Sequence, residues 1–489
     1  MNYRMIFSLL GNVLLIICAV LLLPVLVAVI YRESALYDLL LTIAICGAVG
    51  IALSLLRPKT NRTMHARDGF VMVSLAWIVI SLAGALPLWL SGTIPSYLDA
   101  VFEAVSGFTT TGSSVLTDVE VVPKCLLLWR SFMHWLGGMG VLVFMLAIVP
   151  LSGDSIYLLK AESPGPSVEK MVPKMRDSSL ILYAIYLGMT VLQMLVYLVG
   201  NLFGWGEISF FDNLCITFGT AGTGGFAIYN DGLARFSPYI QWVTTIFMVL
   251  YGVNFSVYFF ILCKKFKLAL KHTEARWYFT IILSATALIV LNLMTTGGYF
   301  AKLGDAIRHS AFSVASVITT TGYGTTDFSQ WPEFSRVILG LLMIVGACAG
   351  STGGGMKVSR VYILIKTAGA EVRQLIHPHA VTVLKMDGKR LGRDVIHGAS
   401  AFLIVYVVIA CISMLVLSLD GFGTETTLSA TLTTLNNIGP GLTKLIGPFG
   451  SFASFSDLST LMMIVNMLFG RLELFPMLLL LRPSTWRKH

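Results

Sequence analysis

The chain has 489 residues, 56% of them hydrophobic and only 12% charged, with 34 Lys and Arg against 25 Asp and Glu and a formal net charge of +9. Soluble domains carry about 25% charged residues, so this composition excludes an ordinary soluble protein and points to a polytopic membrane protein. The basic excess reads as contact with anionic lipid on one face of the bilayer, not with nucleic acid.

Apolar stretches long enough for a hydrocarbon core of about 30 Å predict ten spans. They lie near 5–30, 36–56, 69–92, 124–150, 178–203, 236–263, 277–297, 333–365, 395–419 and 457–481. The first is longer than the roughly 7–15 apolar residues of a signal peptide and is expected to be retained. The seven cysteines are scattered without a CxxC, as expected for buried small hydrophobes and not for disulfides or a metal site. With the N-terminus inside, 25 of the 34 basic residues fall on the inner side: Arg4, the segments 57–67, 160–176, 264–276 and 357–393, and the tail. That asymmetry fixes the orientation, with both termini cytoplasmic. Most acidic residues fall outside, where they would concentrate cations at an outer mouth.

After the third, fifth, seventh and ninth spans comes an outer segment with a moderately apolar stretch and then a glycine cluster. The clusters are Thr109-Thr110-Thr111-Gly112-Ser113, Thr220-Ala221-Gly222-Thr223-Gly224, Thr319-Thr320-Thr321-Gly322-Tyr323-Gly324 and Asn436-Asn437-Ile438-Gly439-Pro440-Gly441. Recurrence at a near-regular period signals an internal repeat. Glycine permits φ > 0, so backbone carbonyls can turn toward an axis and replace an ion's hydration shell. A half-helix entering from outside would aim its partial negative end at that place. Isolated outer turns would also be glycine-rich, but four clusters at corresponding places argue for a pore.

The predicted fold is an all-α polytopic membrane protein. Four pseudo-fourfold span–pore-helix–span repeats surround one pore, and two extra N-terminal transmembrane helices precede them. The expected boundaries are 1–68 for the extra pair, then 69–153, 154–267, 268–376 and 377–489 for the repeats. The candidate K+ filter comprises Thr110, Thr111, Gly112, Thr220, Ala221, Gly222, Thr320, Thr321, Gly322, Asn437, Ile438 and Gly439. Only the third loop keeps a Gly-Tyr-Gly sequence. A less selective monovalent cation channel, or a sodium-coupled transporter of the same fold, is therefore the alternative.

Two features lie below the clusters. The eighth span is interrupted by Gly346-Ala-Cys-Ala-Gly350-Ser-Thr-Gly353-Gly354-Gly355, too glycine-rich for a well-formed helix. It reads as an unwound loop able to swing aside as a gate, or as a close-packing surface. Arg471 falls about 21 Å down the last span at 1.5 Å per residue. A mid-membrane charge costs at least about 2.5–3.5 kcal/mol and is functional by default; a barrier beneath the filter and a salt bridge to another helix are the two readings. Glu473, about 200° around the helix, faces elsewhere. Gly137, Gly138 and Gly140 read as helix contacts, and His134 and His309 as packed or solvated singletons. The segment from Lys357 to Arg393 is the best candidate for partner docking through Lys385, Lys389, Arg390 and Arg393, with lipid contact as the alternative.

These motifs, together with Arg130-Ser-Phe-Met-His-Trp-Leu-Gly-Gly-Met-Gly140 and Gly470-Arg-Leu-Glu473, resemble the bacterial Trk/Ktr potassium transporter family, nearest its TrkH/TrkG type, over almost the whole chain. The resemblance implies potassium uptake across a bacterial inner membrane, proton-coupled or channel-like, with Gly346–Gly355 at the position of the family's gating loop. It implies a homodimer with one pore per subunit and a cytosolic nucleotide-binding ring of the TrkA type. No cofactor is expected beyond K+ in the filter, and nucleotide would act only through that partner, since the chain has no Walker or Rossmann fingerprint. An alternating-access carrier would favour two inverted halves. No HExxH or Ser/His pair at membrane depth suggests an enzyme.

Overall fold

The computed structural model describes residues 3–56, 66–140, 175–296, 299–378 and 383–486, and nearly all its regular structure is helical. The N-terminal block folds as α1 (Tyr3–Val20), α2 (Leu22–Tyr31) and α3 (Leu36–Ser54). Gly11 and Gly50 bring α1 and α3 together: a Cβ on Gly11 would lie 2.6 Å from the Gly50 carbonyl oxygen. Without a hydrophobic drive between helices in lipid, such small-residue contacts hold them. α1 also packs on α4 (Ala66–Leu90).

Among the described residues the helices that follow fall into four groups, each with one short helix. The first has α4, the short α5 (Tyr97–Phe108) and α6 (Lys124–Gly138). The second has α7 (Met175–Leu202), the short α8 (Phe210–Gly222), α9 (Pro238–Tyr251) and α10 (Phe255–Leu262). After α11 (Phe266–Lys271), the third has α12 (Thr273–Thr295), the short α13 (Leu303–Ile318), α14 (Glu333–Ile344) and α15 (Val358–Ile376). The strands β1 (Lys385–Met386) and β2 (Lys389–Arg390) pair as a hairpin before the fourth. That unit has α16 (Arg393–Leu417), the short α17 (Thr424–Leu435), α18 (Asp457–Arg471) and α19 (Phe475–Leu481), with α20 (Pro483–Trp486) at its end.

The fourth short helix is polar yet buried. α17 reads Thr-Glu-Thr-Thr-Leu-Ser-Ala-Thr-Leu-Thr-Thr-Leu, and every residue from Ser429 to Leu435 is buried. Its hydroxyls are satisfied within the helix and by the loop after it: Thr431 donates to the Thr427 carbonyl at 2.9 Å and Thr434 to Ala430 at 2.6 Å, while Thr433 donates to the Gly439 carbonyl at 2.9 Å. Buried polar groups so paired avoid the desolvation cost that would otherwise expel them.

Six helices among the described residues are long and apolar enough to cross a membrane, and a seventh span results if α9 and α10 count as one. The expected spans at 236–263 and 457–481 are not continuous. α9 and α10 meet at 91°, and α18 gives way to α19 through Glu473 and Leu474, both at positive φ. α14 stops at Ile344, and the next thirteen residues, 345–357, form a loop before α15. The inner half of the expected span at 124–150 and the basic segment 160–174 lie outside the described residues, as does His379.

Candidate functional site

The four short helices end in loops that share one backbone signature. Thr110, Thr223, Thr320 and Asn437 have φ of 57°, 53°, 59° and 55°, and two residues later Gly112, Gly225, Gly322 and Gly439 have φ of 82°, 68°, 86° and 101°. The residue between them donates its N–H to the carbonyl five residues back: Thr111 to Ser106, Gly224 to Gly219, Thr321 to Ser316 and Ile438 to Thr433, at 2.8–3.0 Å. Each helix thus ends in the same left-handed cap.

The loops interlock in sequence order. A Cβ on Gly112 would overlap the carbonyl oxygen of Gly224, one on Gly225 that of Thr321, and one on Gly322 that of Ile438. A Cβ on Gly439 would lie 2.8 Å from the carbonyl oxygen of Thr111, which closes the circuit. Four backbones approach this closely only because glycine has no side chain. Further bonds knit neighbours: Asn437 Nδ2 donates to Thr111 Oγ1 at 2.9 Å, and Leu233 N to the Gly324 carbonyl at 2.9 Å. A cavity against the ring is lined by Ser113, Ser114, Phe226, Tyr323 and Pro440 together with the four glycines.

One expected register is corrected. Thr220, Ala221 and Gly222 form the last turn of α8, and the loop equivalent to the other three is Thr223-Gly224-Gly225. Both triplets fit a Thr-x-Gly pattern, so the spacing alone did not choose. The caps do. Ser96 and Ser209 cap α5 and α8, each accepting from the N–H of an aspartate three residues on. The same fourteen-residue interval then separates Ser96 from Thr110, Ser209 from Thr223 and Gly423 from Asn437. The other nine expected filter residues sit in or beside the ring.

The first two loops are braced by a buried ion pair. Glu103 of α5 and Arg130 of α6, 0% and 1% exposed, meet at 2.7 Å. Glu103 also accepts from the Ser114 hydroxyl and from Val115 N, while Arg130 donates to the Ala227 carbonyl in the next loop. Removing one partner of such a pair strands the other charge and costs about 3–5 kcal/mol. Arg130→Ala is expected to lower the thermal unfolding midpoint in detergent sharply, and adding Glu103→Gln should recover part of the loss. His134, beside this pair, is packed as expected: Nδ1 lies 2.8 Å from the Gly107 carbonyl and Nε2 accepts from Phe226 N.

Beneath the ring lies the glycine loop. Gly354 N donates to Thr320 Oγ1 at 2.7 Å. Gly346 N bonds Met356 O at 2.8 Å, and Cys348 N bonds Gly252 O at 3.1 Å in the break between α9 and α10. Gly350 and Gly355 adopt φ of 67° and 69°. A Cβ on Gly353 would lie 2.6 Å from that of Ala347, so Gly353 packs the loop on itself. The side chain of Lys357, expected at the cytoplasmic face, is instead buried and donates to the carbonyls of Gly353 and Gly354. Sequence reasoning misplaced it because the positive-inside count began the inner segment at residue 357, inside the expected span 333–365, and treated its lysine as solvated.

Arg471 reaches this loop from α18. Its guanidinium donates to Thr110 Oγ1 at 3.2 Å, to the Thr352 carbonyl at 2.9 Å, and to the carbonyls of Gly137 and Gly138. Gly137 and Gly138 pack against α5 and α8 as expected, and they also serve as acceptors. Glu473 turns away and pairs with Arg360 of α15.

A profile of the TrkH family, described as a cation transport protein, matches residues 37–488. The chain belongs to the TrkH family. It is 33% identical to the Trk system potassium uptake protein TrkH of Vibrio parahaemolyticus and 32% identical to that of Escherichia coli, in each case over 100% of both chains. It is 30% identical to the Trk system potassium uptake protein TrkG of Escherichia coli, over 95% of this chain and 94% of that one. The crystal structure of the potassium transporter TrkH from Vibrio parahaemolyticus matches with a TM-score of 0.87 at 31% identity, covering both chains completely. This is a family of transporters, and the chain is a multi-pass membrane protein and not an enzyme.

Proposed function

We propose that this TrkH-family chain takes up potassium across the inner membrane of a bacterial cell, through a filter of backbone carbonyls. The observation that carries the reading is the closed circuit of loops, in which each glycine lies against the carbonyl before the next loop's glycine. Such a circuit suits an ion that must exchange its water shell for oxygens on several sides. The filter comprises Thr110–Gly112, Thr223–Gly225, Thr320–Gly322 and Asn437–Gly439. The four units are pseudo-fourfold pore repeats near 69–153, 154–267, 268–376 and 377–489, and residues 1–68 form the extra pair. The short helices direct their negative ends at the ring.

The glycine loop, with Gly346, Gly350, Gly353, Gly354 and Gly355, is the gate, and Arg471 raises a barrier beside it. Relatives bearing the names of potassium uptake proteins support potassium as the cargo. Both termini face the cytoplasm, where a nucleotide-binding ring of the TrkA type docks on the basic surface of a homodimer.

The deciding experiment is flux through purified protein in liposomes, with potassium, rubidium, caesium, sodium and lithium compared at fixed pH. Potassium and rubidium are expected to outrun sodium and lithium. Equal sodium flux would replace this reading with that of a less selective cation channel, for which the loops lacking Gly-Tyr-Gly already speak. Absence of flux for every cation would overturn it.

A further inference from the structure

Glu274 is a buried carboxylate that neither the ring nor Arg471 uses. It lies in the first turn of α12 and is 1% exposed. One oxygen, Oε1, accepts from two backbone amides, Ala349 N at 2.7 Å and Ser359 N at 2.9 Å. Ala349 is inside the glycine loop and Ser359 is in the first turn of α15, so one oxygen fastens both sides of the loop to α12.

The preceding residue is tied in the other direction. Thr273 N donates to Asp387 Oδ1 at 2.6 Å, and Asp387 N donates back to the Thr273 hydroxyl at 3.4 Å. Asp387 and Gly388, with φ of 50° and 77°, form the two-residue turn of the β1–β2 hairpin, whose pairing of Lys385 with Arg390 and Met386 with Lys389 fixes the turn. A helix's first N–H groups lack intrahelical partners. The hairpin therefore supplies what α12 needs at its start, one residue from the loop's fastening. Its Lys385, Lys389 and Arg390 are exposed, which suits a protein partner with an acidic surface.

We propose that Thr273 and Glu274 form a two-residue mechanical link through which the β1–β2 hairpin sets the position of the glycine loop, with Glu274 as a positioning residue. A pull on the hairpin would move the first turn of α12 and with it both amides. The inference rests on the reading of the glycine loop as the gate.

Cys348 supplies a reporter, because its thiol is buried in the loop next to Ala349. In full-length protein with the other six cysteines replaced, the rate of Cys348 modification by a small thiol reagent reads loop position, and potassium flux in liposomes reads conduction. Glu274→Leu removes the acceptor and is expected to raise the modification rate about ten- to a hundredfold. Glu274→Gln keeps one carbonyl oxygen and is expected to rescue the wild-type rate. Asp387→Ala should raise the rate less, roughly three- to tenfold for one lost bond, and Asp387→Asn should restore it. If Glu274→Leu proves misfolded by size-exclusion chromatography, Glu274→Asp, one methylene shorter, should give a smaller rise. No rise in either variant, or an equal rise in Glu274→Gln, overturns the role of Glu274; no rise in Asp387→Ala overturns the connection to the hairpin. If Cys348 becomes reactive while flux stays constant, the link stands and the reading of the loop as the gate falls.

Discussion

Alanine at Gly112 is expected to abolish potassium uptake, lowering flux by about two orders of magnitude, the penalty typical of a 1 Å misplacement where geometry carries function. Two costs combine at this position. A residue with a Cβ pays roughly 1–2 kcal/mol to hold the left-handed conformation, and Gly112 sits at φ 82°. The added carbon would also overlap the carbonyl oxygen of Gly224, so one of the two loops must withdraw. Because each loop abuts the next, the displacement cannot stay local. The second loop leans on Thr321 through Gly225, and the third on Ile438 through Gly322. Potassium flux in liposomes and growth on limiting potassium both read the effect. Gly188 provides the control: it lies inside the described part of α7 with open space where a Cβ would point, so Gly188→Ala should leave flux unchanged and stabilise the helix by up to about 1 kcal/mol. Wild-type flux in a folded Gly112→Ala protein would mean that the ring is not the conduction path.

What could be read in advance follows from which forces are local. The long spans were legible because twenty apolar residues have few fates besides a membrane. Three of the four loops were legible because a threonine or asparagine two residues before a glycine fell in an isolated cluster. The second was misread because Thr220-Ala221-Gly222 and Thr223-Gly224-Gly225 compete, and only the distance from Ser209 separates them. The helix breaks at 252–254 and 472–474 were missed because hydropathy averages across them. Asn254 caps α10 by accepting from Ser256 N, but its one polar side chain is lost in an apolar window. The roles of Glu274 and Glu103 depend on partners 75 or 85, and 27 residues away along the chain. No periodicity announces such pairings.

Arg471→Ala is expected to raise potassium flux about thirtyfold. At an effective dielectric of about 20, a guanidinium about 8 Å from a permeating cation raises its energy by ~2 kcal/mol, and a factor of ten corresponds to about 1.4 kcal/mol. The structure offers a second route to the same gain, because Arg471 also holds the Thr352 carbonyl of the glycine loop and the Thr110 hydroxyl of the ring's first loop. Conservative variants separate the two. Lysine keeps the charge but cannot reproduce a planar fork that reaches Thr110, Thr352, Gly137 and Gly138 at once, so Arg471→Lys should stay near the wild-type flux if charge governs and rise if tethering does. Arg471→Gln, neutral but still able to donate to Thr352, gives the opposite pattern. Since Thr352 is buried and its hydroxyl donates to the Tyr251 carbonyl at 3.3 Å, the loop keeps this anchor after either change, along with the bonds of Gly354 to Thr320 and of Ala349 to Glu274. Removing Arg471 should therefore open the path without dissolving the loop, and Arg471→Ala and Glu274→Leu together should raise flux beyond either alone. Unchanged flux in folded Arg471→Ala protein would defeat both routes, leaving the arginine a structural clasp between α6 and α18.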